Sequence, residues 1–507
     1  MRTPSGYQKF FRACLPVCLH AEVPGRPLLV VVAISILLGA CGGAPRQAWH
    51  KADMDEEFRA SQREEVQNFA DYLALEDRLF AQLQSEVYAE VETGPEFGLV
   101  RYSAGSAADP ENLSPNWNRS FLLPVSNPVG GVLLLHGMSD SPYSLRRLGE
   151  TLQQQGYVVI GLRLPGHGTA PSGLLRMRWQ DMAAAVELAV ERLRREIGTT
   201  PLHMVGYSNG APLALNFTLD ALEEKLGPVP ASLVLISPAI GLATGAGLAS
   251  WKRGLSRVPG LGGMAWLSIQ PEFDPYKYNS FATNAGAQVY ALTQRVARRV
   301  AARARSGKQP VLPPTLVFKS TVDATTSTQA VLKNLLGRLA ADSHELVLFD
   351  INRFSATTSL LVDDPGPFTQ QVMADDSLPF AVTLVTNRGP ETLKVAARKK
   401  LAFSSSTTLV TDLETDWPRD VLSLSHVALP FAPADPLYGR GPPRDDQLLF
   451  LGQQAIQGER GLLRIPPDWL LRLRHNPFYS YLEDRTVAWM RVAGNTCCQE
   501  TSVPASD

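Results

Sequence analysis

The segment Gly206-Tyr207-Ser208-Asn209-Gly210 sets a serine between two glycines, directly after the apolar run Leu202 to Val205 and directly before a helix-length stretch from Ala211. A strand joined to a helix by so short a link must turn tightly, and the serine at the apex then exposes its hydroxyl. That is where a nucleophilic serine has to stand. In a chain with 39 glycines the pattern alone is weak; its strand-and-helix context makes Ser208 the candidate nucleophile. A serine hydroxyl needs a base to take its proton, and His344, His426 and His475 are the histidines that follow it. His344 opens a strand-like run, and His475 lies in the polar run Arg472 to Asn476, where a surface role is expected. His426, in Leu422-Ser423-Leu424-Ser425-His426-Val427-Ala428-Leu429-Pro430, sits where a loop could reach the rim of a sheet, and is the candidate base. A carboxylate must orient that imidazole and stabilise it when protonated. Asp323, between the strand-like Thr315 to Lys319 and a helix from about Thr328, is the first choice; Asp350, Asp412 and Asp416 are the alternatives.

A second apolar run ends in Leu135-His136-Gly137-Met138. Its turn can supply one backbone N–H, that of Met138, to a developing oxyanion, and the N–H of Asn209 can supply the other. His136 precedes Ser208, whereas the fold that this chain resembles, set out below, implies the chain order serine, acid, histidine. It is therefore read as structural.

These residues need elements to hold them. Strands are expected at Val132 to Leu135, Val158 to Leu162, His203 to Gly206, Leu233 to Ser237, Thr315 to Lys319 and Leu346 to Phe349, with helices at Tyr143 to Gln155, Trp179 to Ile197 and Ala211 to Leu226. Apolar runs alternating with amphipathic helices predict an α/β fold with a mostly parallel sheet and helices on both faces. The chain divides into a core first half, 118–238, a lid or cap insertion, 239–311, the core continued, 312–351, a second insertion, 352–420, and a C-terminal segment with the base, 421–490. Residues 491–507 read as a polar tail. Within 239–311 a Gly-rich piece spans Gly241 to Gly263 and a helix spans Gln288 to Ala304. Within 352–420, Phe380 to Thr386 and Thr407 to Val410 are strand-like. Residues 52–117 form an N-terminal extension with early strands and a helix from Ala52 to Glu92, whose stripe of Phe58, Val66, Phe69, Leu73, Phe80, Leu83 and Val87 is expected to pack on the main domain.

The stretch from Asn118 to Gly241, and again around Asp323, resembles the monoacylglycerol-lipase and lysophospholipase-like branch of the α/β-hydrolases, some members of which are called serine aminopeptidases. The resemblance rests on the elbow, on Leu135-His136-Gly137, on Leu164-Pro165-Gly166-His167-Gly168, on the helix starting at Trp179 and on Val322-Asp323. It implies the α/β-hydrolase fold, hydrolysis of carboxylic esters, often of lipids, and a loop-shaping role for His167. Two departures stand out. Asn209 occupies a position where much of the branch has methionine, and 103 residues separate Asp323 from His426, far more than one helix and one strand require. The expected reaction is acyl transfer to water through an acyl-enzyme, with no metal or organic cofactor. The rival readings are an amidase or aminopeptidase on the same fold, and a non-catalytic envelope binding protein.

The 507 residues comprise 45% hydrophobic and 19% charged residues, enough to build a substantial core. With 48 basic against 49 acidic residues the formal charge is −1, which supplies no basic field for nucleic acid. Arg2, Lys9, Arg12 and Arg26 precede the apolar run Leu28 to Leu38, which ends in Gly39-Ala40-Cys41-Gly42-Gly43. This is a signal-peptide pattern over 1–40, and its apolar run falls short of the roughly 20 residues that span a bilayer. Leu38-Gly39-Ala40-Cys41 resembles the bacterial lipobox, which implies lipidation of Cys41, a tether over 41–51, export, and anchoring to the cell envelope, with the outer membrane favoured because Gly42 is not aspartate. Cys497 and Cys498, adjacent in sequence, are not a disulfide framework.

Overall fold

The computed structural model describes residues 45–223, 227–241, 262–308, 311–339, 344–358, 361–441, 449–452 and 471–500. The segment 1–40 expected to be a signal peptide, Cys41 and most of the Gly-rich piece lie outside these. In chain order the principal elements are α1 (Phe69–Glu86), β1 (Phe121–Leu123), β2 (Gly130–Leu135), α2 (Tyr143–Gln154), β3 (Tyr157–Leu162), α3 (Trp179–Ile197), β4 (Leu202–Tyr207), α4 (Gly210–Leu222) and β5 (Ser232–Ile236). There follow β6 (Trp266–Ser268), β7 (Phe281–Ala282), α5 (Thr283–Arg305), β8 (Thr315–Ser320), α6 (Thr328–Asn334), β9 (His344–Phe349), α7 (Gly366–Ala374), β10 (Ala381–Asn387), β11 (Val395–Lys400), β12 (Thr407–Asp412) and α8 (Tyr479–Glu500).

A ten-stranded sheet runs in the order β1-β3-β2-β4-β5-β8-β9-β10-β11-β12. From β3 to β10 every neighbouring pair is parallel; β1 at one edge and β11 and β12 at the other are antiparallel. The central strands are continuous apolar runs because both faces are covered. Side chains alternate between them: Leu133, Leu135, Met204 and Leu235 pack with α3, α4 and α5, while Val132, Leu134, Val205 and Ile236 pack with α2 and α8.

Four expectations need correction. The segment 352–420 does not fold away from the core. It extends the sheet, β10 pairing parallel with β9 and β11 and β12 following as an antiparallel meander. The N-terminal helix begins at Phe69 rather than Ala52, because Asn68 Oδ1 accepts the N–H groups of Ala70 and Asp71 while Asp71 Oδ2 accepts the N–H of Asn68. Such a reciprocal cap starts a helix at one residue. No strand precedes Phe121 among the described residues. Finally, the final helix continues to Glu500 instead of giving way to a polar tail at 491, with Met490 and Ala493 buried along its inner side.

The N-terminal extension does pack on the main domain, as expected. Phe58, Phe69, Tyr72 and Leu75 join the core beside α3, and the junction is ionic at its centre. Arg163, fully buried, gives both terminal nitrogens to Glu57 at 3.0 Å and its Nε to Glu76 Oε2 at 3.0 Å. Glu57 also accepts the N–H of Gly166 at 2.7 Å. The extension thus holds the Pro-Gly-His-Gly turn that follows β3. Removing one partner of such a buried pair leaves an uncompensated charge, so Glu57→Ala is expected to lower stability by roughly 3–5 kcal/mol. Chemical denaturation checks this, and a change below about 1 kcal/mol would mean the cluster is dispensable.

Candidate active site

Ser208 stands at φ +51° between the end of β4 and the first turn of α4, a left-handed conformation that costs a residue with a Cβ roughly 1–3 kcal/mol. Its neighbours make the turn possible. A Cβ on Gly206 would meet Ala211 Cα at 2.5 Å, and one on Gly210 would meet Leu135 O at 2.0 Å. Both glycines are therefore demanded by contact, and the serine between them is forced to the C-terminal edge of the sheet.

Asp323 lies on the loop after β8 and His426 on a short turn well beyond β12. The structure brings all three together. His426 Nε2 is 3.1 Å from Ser208 Oγ, and His426 Nδ1 is 2.9 Å from Asp323 Oδ2. With Nδ1 donating to the carboxylate, Nε2 is left to accept the serine proton. The chain between Asp323 and His426, 103 positions apart, widens the sheet and returns across its C-terminal edge. Asn352 N–H donates to Leu422 O at 2.7 Å and Ser320 Oγ donates to Leu424 O at 2.8 Å. The returning chain is thereby pinned to the ends of β9 and β8 before it reaches His426.

The alternative acids are elsewhere. Asp350 is held by Arg353 Nε and Nη2, each at 2.9 Å, Asp412 pairs with Arg388 on the surface, and Asp416 is exposed. Of the other histidines, His344 Nδ1 accepts the N–H of Thr315 at 3.2 Å. His475 is buried rather than superficial, 2% exposed, because the turn before α8 folds inward. His136 Nε2 accepts the N–H of Leu164 at 3.0 Å and its Nδ1 donates to Gly137 O at 2.8 Å. That fixes the loop carrying Met138. His167 donates from Nδ1 to Pro165 O at 3.0 Å and rests its Nε2 against Met138 Sδ at 3.2 Å. Burial disfavours the protonated form of both rings and pushes their pKa down, that of His167 to about 4, so both are neutral at physiological pH.

Met138 and Asn209 line the cavity that contains Ser208 and His426. The Asn209 side chain is turned into the core, its Nδ2 3.6 Å from Met182 Sδ, so only its backbone is left for the cavity. The cavity has a volume of about 520 Å³. The 239–311 segment supplies much of its wall through Leu267, Lys277, Tyr278, Phe281 and Val289. Tyr278 N–H ties this segment to Ser139 O at 2.7 Å. Among the described residues no group of three or more His, Cys, Asp or Glu side chains is placed to hold a metal.

One residue at the site was not anticipated. Lys319, in β8, is fully buried, and its ammonium donates to Asp323 Oδ2 at 2.7 Å, to Thr326 Oγ1 at 2.6 Å and to Thr326 O at 2.8 Å. The same carboxylate oxygen therefore receives both Lys319 and His426, while Oδ1 takes the N–H groups of Thr325 and Thr326 at 2.8 and 3.0 Å. The available signal was a lysine ending an otherwise apolar strand, four residues before the aspartate. Burial pushes the Asp323 carboxyl up, but the hydrogen bond and charge of His426 and the ammonium of Lys319 outweigh it and hold it well below the usual carboxylate range. For His426 burial pushes down, Asp323 pulls back up, and the charges of Lys319 and Arg472 push down again, leaving it below the ordinary histidine value.

Comparisons with known proteins agree with this architecture. Residues 126–352 match the family described as serine aminopeptidase, S33. The fold is that of the α/β-hydrolases. The chain is 35% identical over 123 residues to a thermostable monoacylglycerol lipase of a Bacillus species, covering 24% of this chain and 48% of that one. It is 34% identical over 110 residues to the magnesium-chelatase 30 kDa subunit of Rhodobacter capsulatus, covering 22% and 37%, and 25% identical over 119 residues to phospholipase YtpA of Bacillus subtilis, covering 23% and 44%. Each match spans less than half the length of the relative. Most of the sheet extension beyond β9 and the N-terminal extension lie outside the matched stretch.

The sign of the electrostatics can be tested on the imidazole itself. By NMR, His426 is expected to titrate below the ordinary histidine value, and Lys319→Met, which removes a cation behind Asp323, to raise that midpoint. A midpoint unmoved or lowered by Lys319→Met would show that Lys319 acts on packing alone.

Proposed function

We propose that the protein is an exported serine hydrolase that cleaves carboxylic esters of lipids or other hydrophobic acyl groups. The observation that carries this is the continuous hydrogen-bonded chain Ser208–His426–Asp323 opening onto a cavity of about 520 Å³ whose lining includes Leu267, Phe281, Val289 and Val427. In this reading His426 takes the Ser208 proton as Oγ attacks the ester carbonyl. The oxyanion receives the N–H groups of Met138 and Asn209, a contribution of roughly 3–4 kcal/mol per donor in comparable sites. His426 then protonates the leaving alcohol. Water, deprotonated by the same imidazole, hydrolyses the acyl-serine and regenerates the free hydroxyl.

Asp323 orients the ring and balances its charge when protonated; it does not itself take the proton. The relatives named a monoacylglycerol lipase and a phospholipase support a lipid ester, and the apolar lining supports a hydrophobic acyl chain. The signal pattern and Cys41 support an envelope enzyme anchored by lipid, with the outer membrane favoured.

A fluorophosphonate probe is expected to label the wild type and not Ser208→Ala, and His426→Ala is expected to lower kcat by at least about 10³-fold. Labelling that persists in Ser208→Ala would remove Ser208 from the mechanism. Ester hydrolysis should fall with decreasing pH along a limb whose midpoint lies below the ordinary histidine value, since His426 must be neutral to act as base. A panel of p-nitrophenyl esters and aminoacyl amides is expected to show ester cleavage exceeding amide cleavage; the reverse order would assign the protein to the amidases.

A further inference from the structure

The cavity lining that surrounds Ser208 includes three cations, Lys277, Arg472 and Arg474, and two carboxylates, Asp140 and Asp274. The carboxylates are already engaged. Asp140 Oδ2 lies 3.2 Å from Lys277 Nζ, and that ammonium also sits 4.7 Å from the centre of the Phe431 ring. Asp274, fully buried, accepts at Oδ1 from Tyr438 OH at 2.5 Å and from the N–H groups of Tyr276 and Lys277 at 3.0 and 3.1 Å. Among the described residues its Oδ2 has no hydrogen bond, and it faces Arg474 Nη1 across 3.7 Å.

The arginines are engaged much less. Arg474, with a side chain only 12% exposed, has that one long ionic contact and no hydrogen bond among the described residues. Arg472, exposed at the cavity, has neither an ion pair nor a hydrogen bond among them, yet its charge bears on His426 and Asp323. Two guanidinium groups with unused donors among the described residues thus line the same cavity as the reacting serine, in a lining with one cation in excess. A cationic substrate group would meet net repulsion there, and a neutral one would leave both forks unused. Guanidinium pairs fit planar or tetrahedral oxyanions, to which each can donate twice.

We propose that Arg472 and Arg474 bind an oxyanion group, phosphate or carboxylate, carried by the ester substrate itself, so that the enzyme prefers acidic amphiphiles over neutral ones. This rests on the esterase reading above and narrows its substrate class. The acyl chain lies along Leu267, Phe281 and Val289, and the anion sits on the alcohol half, which departs when the acyl-serine forms.

The test compares kcat/KM for three lauroyl esters below their critical micelle concentrations: 1-lauroylglycerol, 1-lauroylglycerol 3-phosphate and the lauroyl ester of glycerate. The wild type is expected to favour at least one anionic ester over the neutral one by about tenfold or more, the ratio expected of a charge-assisted contact; the better of the two identifies phosphate or carboxylate. In Arg472→Gln/Arg474→Gln the ratio should fall to about one, mainly through a higher KM for the anionic ester. Fluorophosphonate labelling reports whether that double variant is folded. As a measurement that needs no variant, the wild-type ratio should fall as sodium chloride is raised from 0.05 to about 0.5 M. Equal cleavage of all three esters by the wild type, or a ratio unchanged in the labelled double variant, would overturn this inference and leave the esterase reading standing. Absence of cleavage of all three would overturn the esterase reading and this one with it.

Discussion

At the elbow, the backbone of Gly210 lies so near strand β2 that a single added carbon would come within 2.0 Å of Leu135 O. That contact locks helix α4 against the sheet and leaves no slack in the turn. Ser208 has to adopt φ +51°, and the loop after β2 has to pass beside it. Gly137 shows the same crowding, since a Cβ there would lie 3.2 Å from the Cβ of Ser208. The strain of the serine is held by the burial of β2, β4 and α4, whose side chains belong to the two apolar layers of the sheet. A rigid scaffold can keep a residue in such a conformation where a mobile loop would relax it.

The rest of the site depends on how that fixed hydroxyl is met. Asp323 is oriented by its own loop and by Lys319 from β8, so its carboxylate is held by contacts independent of His426. The histidine comes on a chain that has first built three more strands and then crossed the ends of β9 and β8. A wide sheet is a stiff platform for such a return. The ammonium behind the carboxylate makes Asp323 a stronger acid and His426 a weaker base, which distinguishes this arrangement from an aspartate held by neutral donors alone.

The N-terminal extension and the 239–311 segment act on the site from outside the sheet. The first grips the turn after β3 through Glu57, Glu76 and Arg163; that turn in turn meets Met138 through His167. The second supplies cavity wall and is sewn to the loop after β2 by Tyr278 and Lys277. Both therefore converge on the same short loop, the one from which Met138 faces the cavity.

The sequence by itself determined the central strands and helices and the serine between its glycines, because these rest on local signals: apolar runs, helical periodicity and a tight turn. It also ranked Asp323 and His426 first, from chain order and loop position. It assigned no strand where β11 lies, since Arg398 and Lys399 interrupt any apolar run there and the pairing with β10 and β12 is visible only once those strands are adjacent. It extended the N-terminal helix past Asn68, since a stripe of apolar residues does not reveal which turn a capping side chain will close. Only the tertiary structure decided that residues 352–420 widen the sheet, that His475 is buried, and that Lys319 shares an oxygen of Asp323 with His426. These are contacts between residues far apart in the chain or questions of which way a side chain is turned, and such facts arise from packing rather than from any local pattern of residue types.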